Sequence, residues 1–155
     1  MGALLAKENI WYVGTQDPNL RVFDIIMHSD WGTSYNAYLV KGSEKTALFE
    51  TSKLEFFDEF LANVREVCDP ASIDYIVVDH TEPDHSGSLE KLLALAPNAT
   101  VLGSATALNF LKQIVNHEFA CRAVTEKDTV DLGGMTLHFL SVPFLHWPDS
   151  MYTYI

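Results

Sequence analysis

Short runs of apolar residues recur through the first fifty positions: Ile10-Trp11-Tyr12-Val13, Val22-Phe23-Asp24-Ile25-Ile26, Tyr35-Asn36-Ala37-Tyr38-Leu39-Val40 and Thr46-Ala47-Leu48-Phe49. Turn-forming Asp17-Pro18-Asn19, Trp31-Gly32-Thr33-Ser34 and Lys41-Gly42-Ser43 separate them, and the pattern predicts an antiparallel meander. From Ser52 the period changes. Ser52 and Glu55 have capping-box spacing, and Leu54, Phe57, Leu61, Val64 and Val67 follow at steps of three and four. The spacing predicts a helix that Asp69-Pro70 stops.

Beyond it, strand and helix signals alternate. Ile73 to Asp79 reads as a buried strand, Gly87 to Leu95 as a short helix ended by Pro97, and Thr100 to Gly103 as a strand. Ser104 to Asn116 reads as a helix with Ser104 as N-cap. Cys121 to Val124, Thr129 to Leu132 and Met135 to Val142 read as strands, the last two joined by a Gly133-Gly134 hairpin turn. Pro143 to Asp149 is a loop, because prolines at 143 and 148 preclude a central strand, and Met151 to Ile155 is again strand-like. The fold class is α/β, with meander first and strand–helix units after.

Composition narrows the possibilities. With 155 residues, 48% of them hydrophobic, and no linker or repeat, one ordinary core is expected. A net charge of −11 with ten scattered Lys and Arg argues against a nucleic-acid partner. No apolar run approaches the roughly 20 residues of a membrane span, and no basic-then-apolar leader opens the chain, so a cytoplasmic protein is expected. Cys68 and Cys121 stand alone in sequence and read as reduced thiols. The aromatic ending Met151-Tyr152-Thr153-Tyr154-Ile155 resembles a strand entering a sheet. The expectation is that residues 1–155 are the front portion of a longer polypeptide.

The densest chemistry lies in His80-Thr81-Glu82-Pro83-Asp84-His85-Ser86-Gly87, directly after the 73–79 strand. If this stretch is extended, His80, Glu82 and Asp84 point to one side at intervals of about 6–7 Å, and His85 points elsewhere. Alternate residues that converge beside an adjacent one that diverges are arranged to serve two metal ions. Imidazole nitrogen and carboxylate oxygen, without thiolate, suit iron, manganese or zinc. His146, in the proline-bounded loop after another apolar strand, is the candidate fifth ligand. His28 is a candidate for supporting the ligands, and His117 and His138 have weaker claims.

The motif His80-x-Glu82-x-Asp84-His85 resembles that of the metallo-β-lactamase superfamily, whose αββα sandwich matches the predicted order of elements. Glu82 stands where the hydrolytic zinc members have His. With Gly32-Thr33-Ser34-Tyr35-Asn36-Ala37-Tyr38, Thr81, Pro83, Ser86-Gly87 and Leu145-His146-Trp147-Pro148-Asp149-Ser150-Met151, it makes the chain resemble the flavodiiron proteins. The resemblance implies two non-haem irons, with His80, Glu82 and His146 on one and Asp84 and His85 on the other. It implies reduction of O₂ to water or of NO to N₂O, with electrons from FMN on a flavodoxin-like domain and from rubredoxin or a similar donor. It also implies a head-to-tail homodimer in which Trp147 neighbours the partner's FMN. The family's bridging Asp, its last His ligand and the flavin domain are not among these residues, and Asp149 stands too close to His146 to be the bridge. The chain alone is therefore expected to be inactive. A metal-dependent hydrolase of the same fold, and an inactive fragment or split subunit, are the alternative readings.

Overall fold

The computed structural model describes residues 2–155. These residues form fourteen strands and four α-helices. The first eight strands are β1 (Leu4–Lys7), β2 (Ile10–Tyr12), β3 (Thr15–Asp17), β4 (Val22–Phe23), β5 (Met27–His28), β6 (Thr33–Tyr35), β7 (Tyr38–Lys41) and β8 (Thr46–Phe49). Then come α1 (Phe57–Val67), β9 (Tyr75–Val77), α2 (Pro83–Ser86), α3 (Leu89–Leu93), β10 (Thr100–Gly103) and α4 (Ala105–Ile114). The last four strands are β11 (Cys121–Ala123), β12 (Thr129–Asp131), β13 (Thr136–Ser141) and β14 (Met151–Tyr154).

A seven-stranded sheet in the order β1-β2-β7-β8-β9-β10-β11 forms the centre. Its first four strands pair antiparallel, and β8, β9, β10 and β11 run parallel. The chemistry of the strands explains the layering. Parallel strands buried on both faces need apolar residues at consecutive positions. Leu48, Ile76, Val78 and Val101 point to one side and meet Phe57, Phe60, Leu61 and Val64 of α1, Leu89 and Leu92 of α3, and Leu108 and Leu111 of α4. Ala47, Phe49, Val77 and Leu102 point to the other and meet Val130, Leu137, Phe139 and Met151 of a second sheet, ordered β12-β13-β14. Helices, large sheet and small sheet thus stack as three layers, matching one half and more of an αββα sandwich. The α/β expectation holds.

Four details differ from the sequence expectations. Residues 22–26 do not form one strand. β4 and β5 make a two-pair hairpin, with Asp24 and Ile25 at φ 48° and 71°, and Ile25 and Ile26 lie 90% and 79% exposed, so their apolar character does not enter the core. The 35–40 run is split between β6, which pairs β3, and β7 in the main sheet. Ser52 caps nothing: its buried hydroxyl shares a 2.5 Å hydrogen bond with Thr15 Oγ1, and a short 3₁₀ turn at Leu54–Phe56 precedes α1. Leu54 is consequently half exposed, and the buried stripe begins at Phe57 and includes Phe60. Elsewhere Ser104 does accept from Ala107 N–H at 3.0 Å as the N-cap of α4, both glycines of the Gly133-Gly134 turn have positive φ, and Cys68 and Cys121 are free.

Candidate metal centre

Parallel strands place whatever follows their C-terminal ends along one edge, where ligands of open α/β sheets bind. Glu50 follows β8, Asp79 and His80 follow β9, and Ser104 follows β10. The second sheet is fastened to this edge. Met151 N–H donates to Asp79 O at 3.0 Å, Thr153 Oγ1 to Asp79 Oδ1 at 2.8 Å, and Ser104 Oγ to Asp149 O at 2.8 Å. These bonds bring the 143–150 loop, and with it His146, over the end of β9.

The 80–87 segment is not extended as expected. It turns at Glu82 into α2, with Pro83 in the first helical turn, and Ser86 Oγ donates to Thr81 O at 2.8 Å to close the turn. Proline's φ and missing N–H suit that first turn as well as an extended strand, so the residue is compatible with either path. Helical geometry separates Glu82 from Asp84 and His85 by rotation. His80 Nε2, Glu82 Oε2 and His146 Nε2 converge, with His80 3.1 Å and His146 3.2 Å from the same Glu82 oxygen, and the three donors lie within 4.8 Å of one another. His85 Nε2 and Asp84 Oδ2 form a second pair, 3.5 Å apart. The ring centroids of His80 and His85 are 5.0 Å apart, as are those of His80 and His146. The two groups therefore adjoin.

The remaining residues singled out by sequence divide. Trp147 stands edge-on to the His80 ring at 5.1 Å and beside His146 at 6.2 Å, with 36% of its surface exposed. His28 lies exposed on β5, and among the described residues no side chain of the centre hydrogen-bonds or ion-pairs with it. His117 binds the Glu118 carbonyl and His138 lies exposed on β13.

Three carboxylates of the centre were not legible as such. Asp149 is fully buried, and its Oδ2 accepts from Thr81 N–H at 2.8 Å and Thr81 Oγ1 at 2.9 Å, with His80 Nδ1 at 3.2 Å. Glu50 accepts from Asp79 N–H through Oε1 at 2.8 Å and turns Oε2 toward His85 Nδ1, 3.5 Å away. Its own backbone sits at φ 58°, a region non-glycine residues rarely enter. Asp79, the third, accepts from Thr153 Oγ1 through Oδ1 and donates its N–H to Glu50. A carboxylate directly after the buried 46–49 strand, level with Val78 and hence beside Asp79 on the neighbouring one, is the signal that points to Glu50.

Glu50, Asp79, Glu82, Asp84 and Asp149 thus surround three imidazoles, and among the described residues no Lys or Arg forms an ion pair with any of them. Burial followed by the nearby Glu50 pushes Asp79 up to about 7, and burial raises Glu50. For His85 burial acts downward, but Glu50, Asp84 and Glu82 outweigh it and hold the imidazole at about 9. Glu50 Oε2, Asp84 Oδ1, His85 Nδ1 and Asp149 Oδ1 are buried without a hydrogen-bond partner. Such atoms are costly in a folded protein unless something of opposite charge completes them. The donor set of nitrogen and anionic oxygen fits iron, manganese or zinc.

The profile of the family described as ODP family beta lactamase matches residues 33–155. The chain belongs to that family. A flavo-diiron protein, FprA2 of Clostridium acetobutylicum, is 51% identical over 155 residues, covering 99% of this chain and 38% of the relative. A nitric oxide reductase of Moorella thermoacetica is 41% identical over 150 residues, 96% of this chain and 37% of its own. Among solved structures, the rubredoxin oxygen:oxidoreductase of Desulfovibrio gigas superposes with a TM-score of 0.92 at 35% identity, over 98% of this chain and 38% of that one. The flavodiiron protein of Giardia intestinalis superposes at 0.94 and 32%, over 99% and 37%. The fold of this family member is accordingly the β-lactamase-like fold of flavodiiron proteins, and the chain spans 38% of the length of its FprA2 relative.

Proposed function

We propose that residues 1–155 are the N-terminal portion of the metal-binding domain of a flavodiiron oxidoreductase, which reduces O₂ to water or NO to N₂O. The observation that carries the reading is the convergence of His80 Nε2, Glu82 Oε2 and His146 Nε2 beside the Asp84–His85 pair. His80, Glu82 and His146 hold one iron, and Asp84 and His85 contribute to the second. The irons, when bound, supply the one-electron chemistry by which O₂ or NO is reduced. Glu82 places an anionic oxygen between two neutral imidazoles, which favours a ferric ion and hence redox use over hydrolysis. Trp147 packs edge-on against His80 and stands beside His146, whose own side chain is 63% exposed. The exposed edge of Trp147 faces FMN of a partner subunit in a head-to-tail dimer.

The bridging Asp, the last His and the FMN domain lie in the part of the polypeptide these residues do not span. Rubredoxin or a similar carrier supplies the electrons. Among the described residues no helix is long and apolar enough to cross a membrane, and we place the protein in the cytoplasm.

The test is turnover by the intact polypeptide. Given FMN, iron and reduced rubredoxin, it consumes O₂ or NO, and His146→Ala lowers the rate at least 100-fold. Hydrolysis of a lactone, ester or thioester by a zinc-loaded protein that leaves O₂ and NO untouched overturns the reading.

A further inference from the structure

Imidazole ligates through either ring nitrogen, and the group facing the other one decides which. The ligand motif alone is silent on this choice. Around this centre the histidine rings are oriented consistently. His80 and His146 both aim Nε2 at Glu82 Oε2, and His85 aims Nε2 at Asp84 Oδ2. Behind His80 and His85, on their Nδ1 sides, stand two carboxylates that are outside the motif, Asp149 and Glu50.

We infer that Asp149 and Glu50 are a matched pair of positioning residues, each accepting from Nδ1 of one histidine so that both rings offer Nε2 to the metals. The inference rests on the proposed metal centre and adds to it the groups that fix its geometry. An ionised carboxylate can only accept, so a ring nitrogen bonded to it must carry the proton. Asp149 Oδ2 already receives two donors from Thr81, and His80 Nδ1 completes a third approach to the same oxygen. One fully buried atom thereby fixes both the loop and the ring that the loop carries.

The Glu50 arm has the same logic with a looser fit. Oε1 is taken by the Asp79 N–H, and a purely structural role would require no more. Oε2 and His85 Nδ1 face each other at 3.5 Å, both buried and both without another hydrogen-bond partner. Closing that gap by a few tenths of an ångström satisfies two groups at once. The left-handed backbone at Glu50, φ 58°, turns the side chain toward the site instead of continuing β8. Unfavourable backbone of this kind persists where the surroundings hold it, and it gathers at functional sites. The two carboxylates come from distant parts of the chain and face histidines assigned to different metals, which makes their effects separable.

The experiment uses the intact polypeptide, ¹⁵N-labelled at histidine and loaded with zinc as a diamagnetic probe. In the wild type, ring ¹⁵N shifts report His80 and His85 ligated through Nε2 with protons on Nδ1. Outer carboxylates of this sort are worth 10- to 100-fold in metal affinity. Asp149→Leu therefore weakens the His80 metal at least tenfold, whereas Asp149→Asn, whose carbonyl still accepts, stays within about threefold of wild type. Thr81→Val, which removes one donor to Asp149 and spares the histidine's partner, also stays within about threefold. Glu50→Gln keeps the Asp79 bond but turns an amide donor on His85, and weakens only the second metal, by tenfold or more. Ligation through Nδ1 by either histidine in the wild type, readable even if Asp149→Leu does not fold, overturns the inference. So does wild-type affinity in Asp149→Leu and Glu50→Gln. A wild type that takes up no metal removes the centre itself, and the inference with it.

Discussion

At the scale of single residues, one serine illustrates how the centre is supported from outside. Ser104 Oγ accepts from Ala107 N–H, capping α4, and donates to Asp149 O, holding the loop that carries His146. A lost N-cap costs about 1 kcal/mol. The lost donor to a buried carbonyl costs about 1 kcal/mol more. Ser104→Ala is therefore expected to destabilise the protein by about 2 kcal/mol in urea unfolding, and a change below about 0.5 kcal/mol contradicts this role. The cap was legible in sequence because a hydroxyl before a helical stripe is a local signal. The cluster of candidate ligands was legible for the same reason, its four side chains standing within a few residues after an apolar strand. Asp149 and Glu50 were not, since a lone carboxylate carries no local signal. Only the parallel order of β8, β9 and β10, and the return of the 143–150 loop, bring them to the histidines.

At the scale of elements, the sequence read strands and helices well where burial is two-sided or strongly periodic, and poorly where a short polar contact wins. The parallel strands and α4 fall in the first group. In the second, Ser52 bonds Thr15 in place of a helix end, and residues 80–87 fold into a helical turn because α2 closes through Ser86 and Thr81. The 22–28 hairpin misled for another reason: its isoleucines are apolar yet exposed. The centre also depends on a helix it does not touch. Phe60 of α1 is fully buried among the residues that fix β8 and β9 against the helical layer. Phe60→Ala should cost about 3–5 kcal/mol, as large-to-small core changes of this size do. Denaturant titration checks it, and a loss under 1 kcal/mol means that α1 packs otherwise.

At the scale of the molecule, the charge and the layers acquire a local meaning. In the sequence the net charge of −11 argues against a nucleic-acid partner and has no location. Five acidic side chains of that excess gather at one sheet edge around three histidines, without a basic residue paired to them among the described residues. That concentration is intelligible as a binding site for cations and is difficult to account for as a folded core. The three-layer arrangement serves it, since β8 and β9 deliver Glu50 and His80 from one sheet while the loop between β13 and β14 delivers His146 from the other.

The central claim is a dinuclear centre divided between His80, Glu82 and His146 on one side and Asp84 and His85 on the other. The most direct measurement is anomalous diffraction at the iron edge from crystals of the intact polypeptide grown with iron. The account predicts two iron peaks per chain, one bounded by His80, Glu82 and His146 and the other by Asp84 and His85. A single peak, or iron bound away from these side chains, contradicts it.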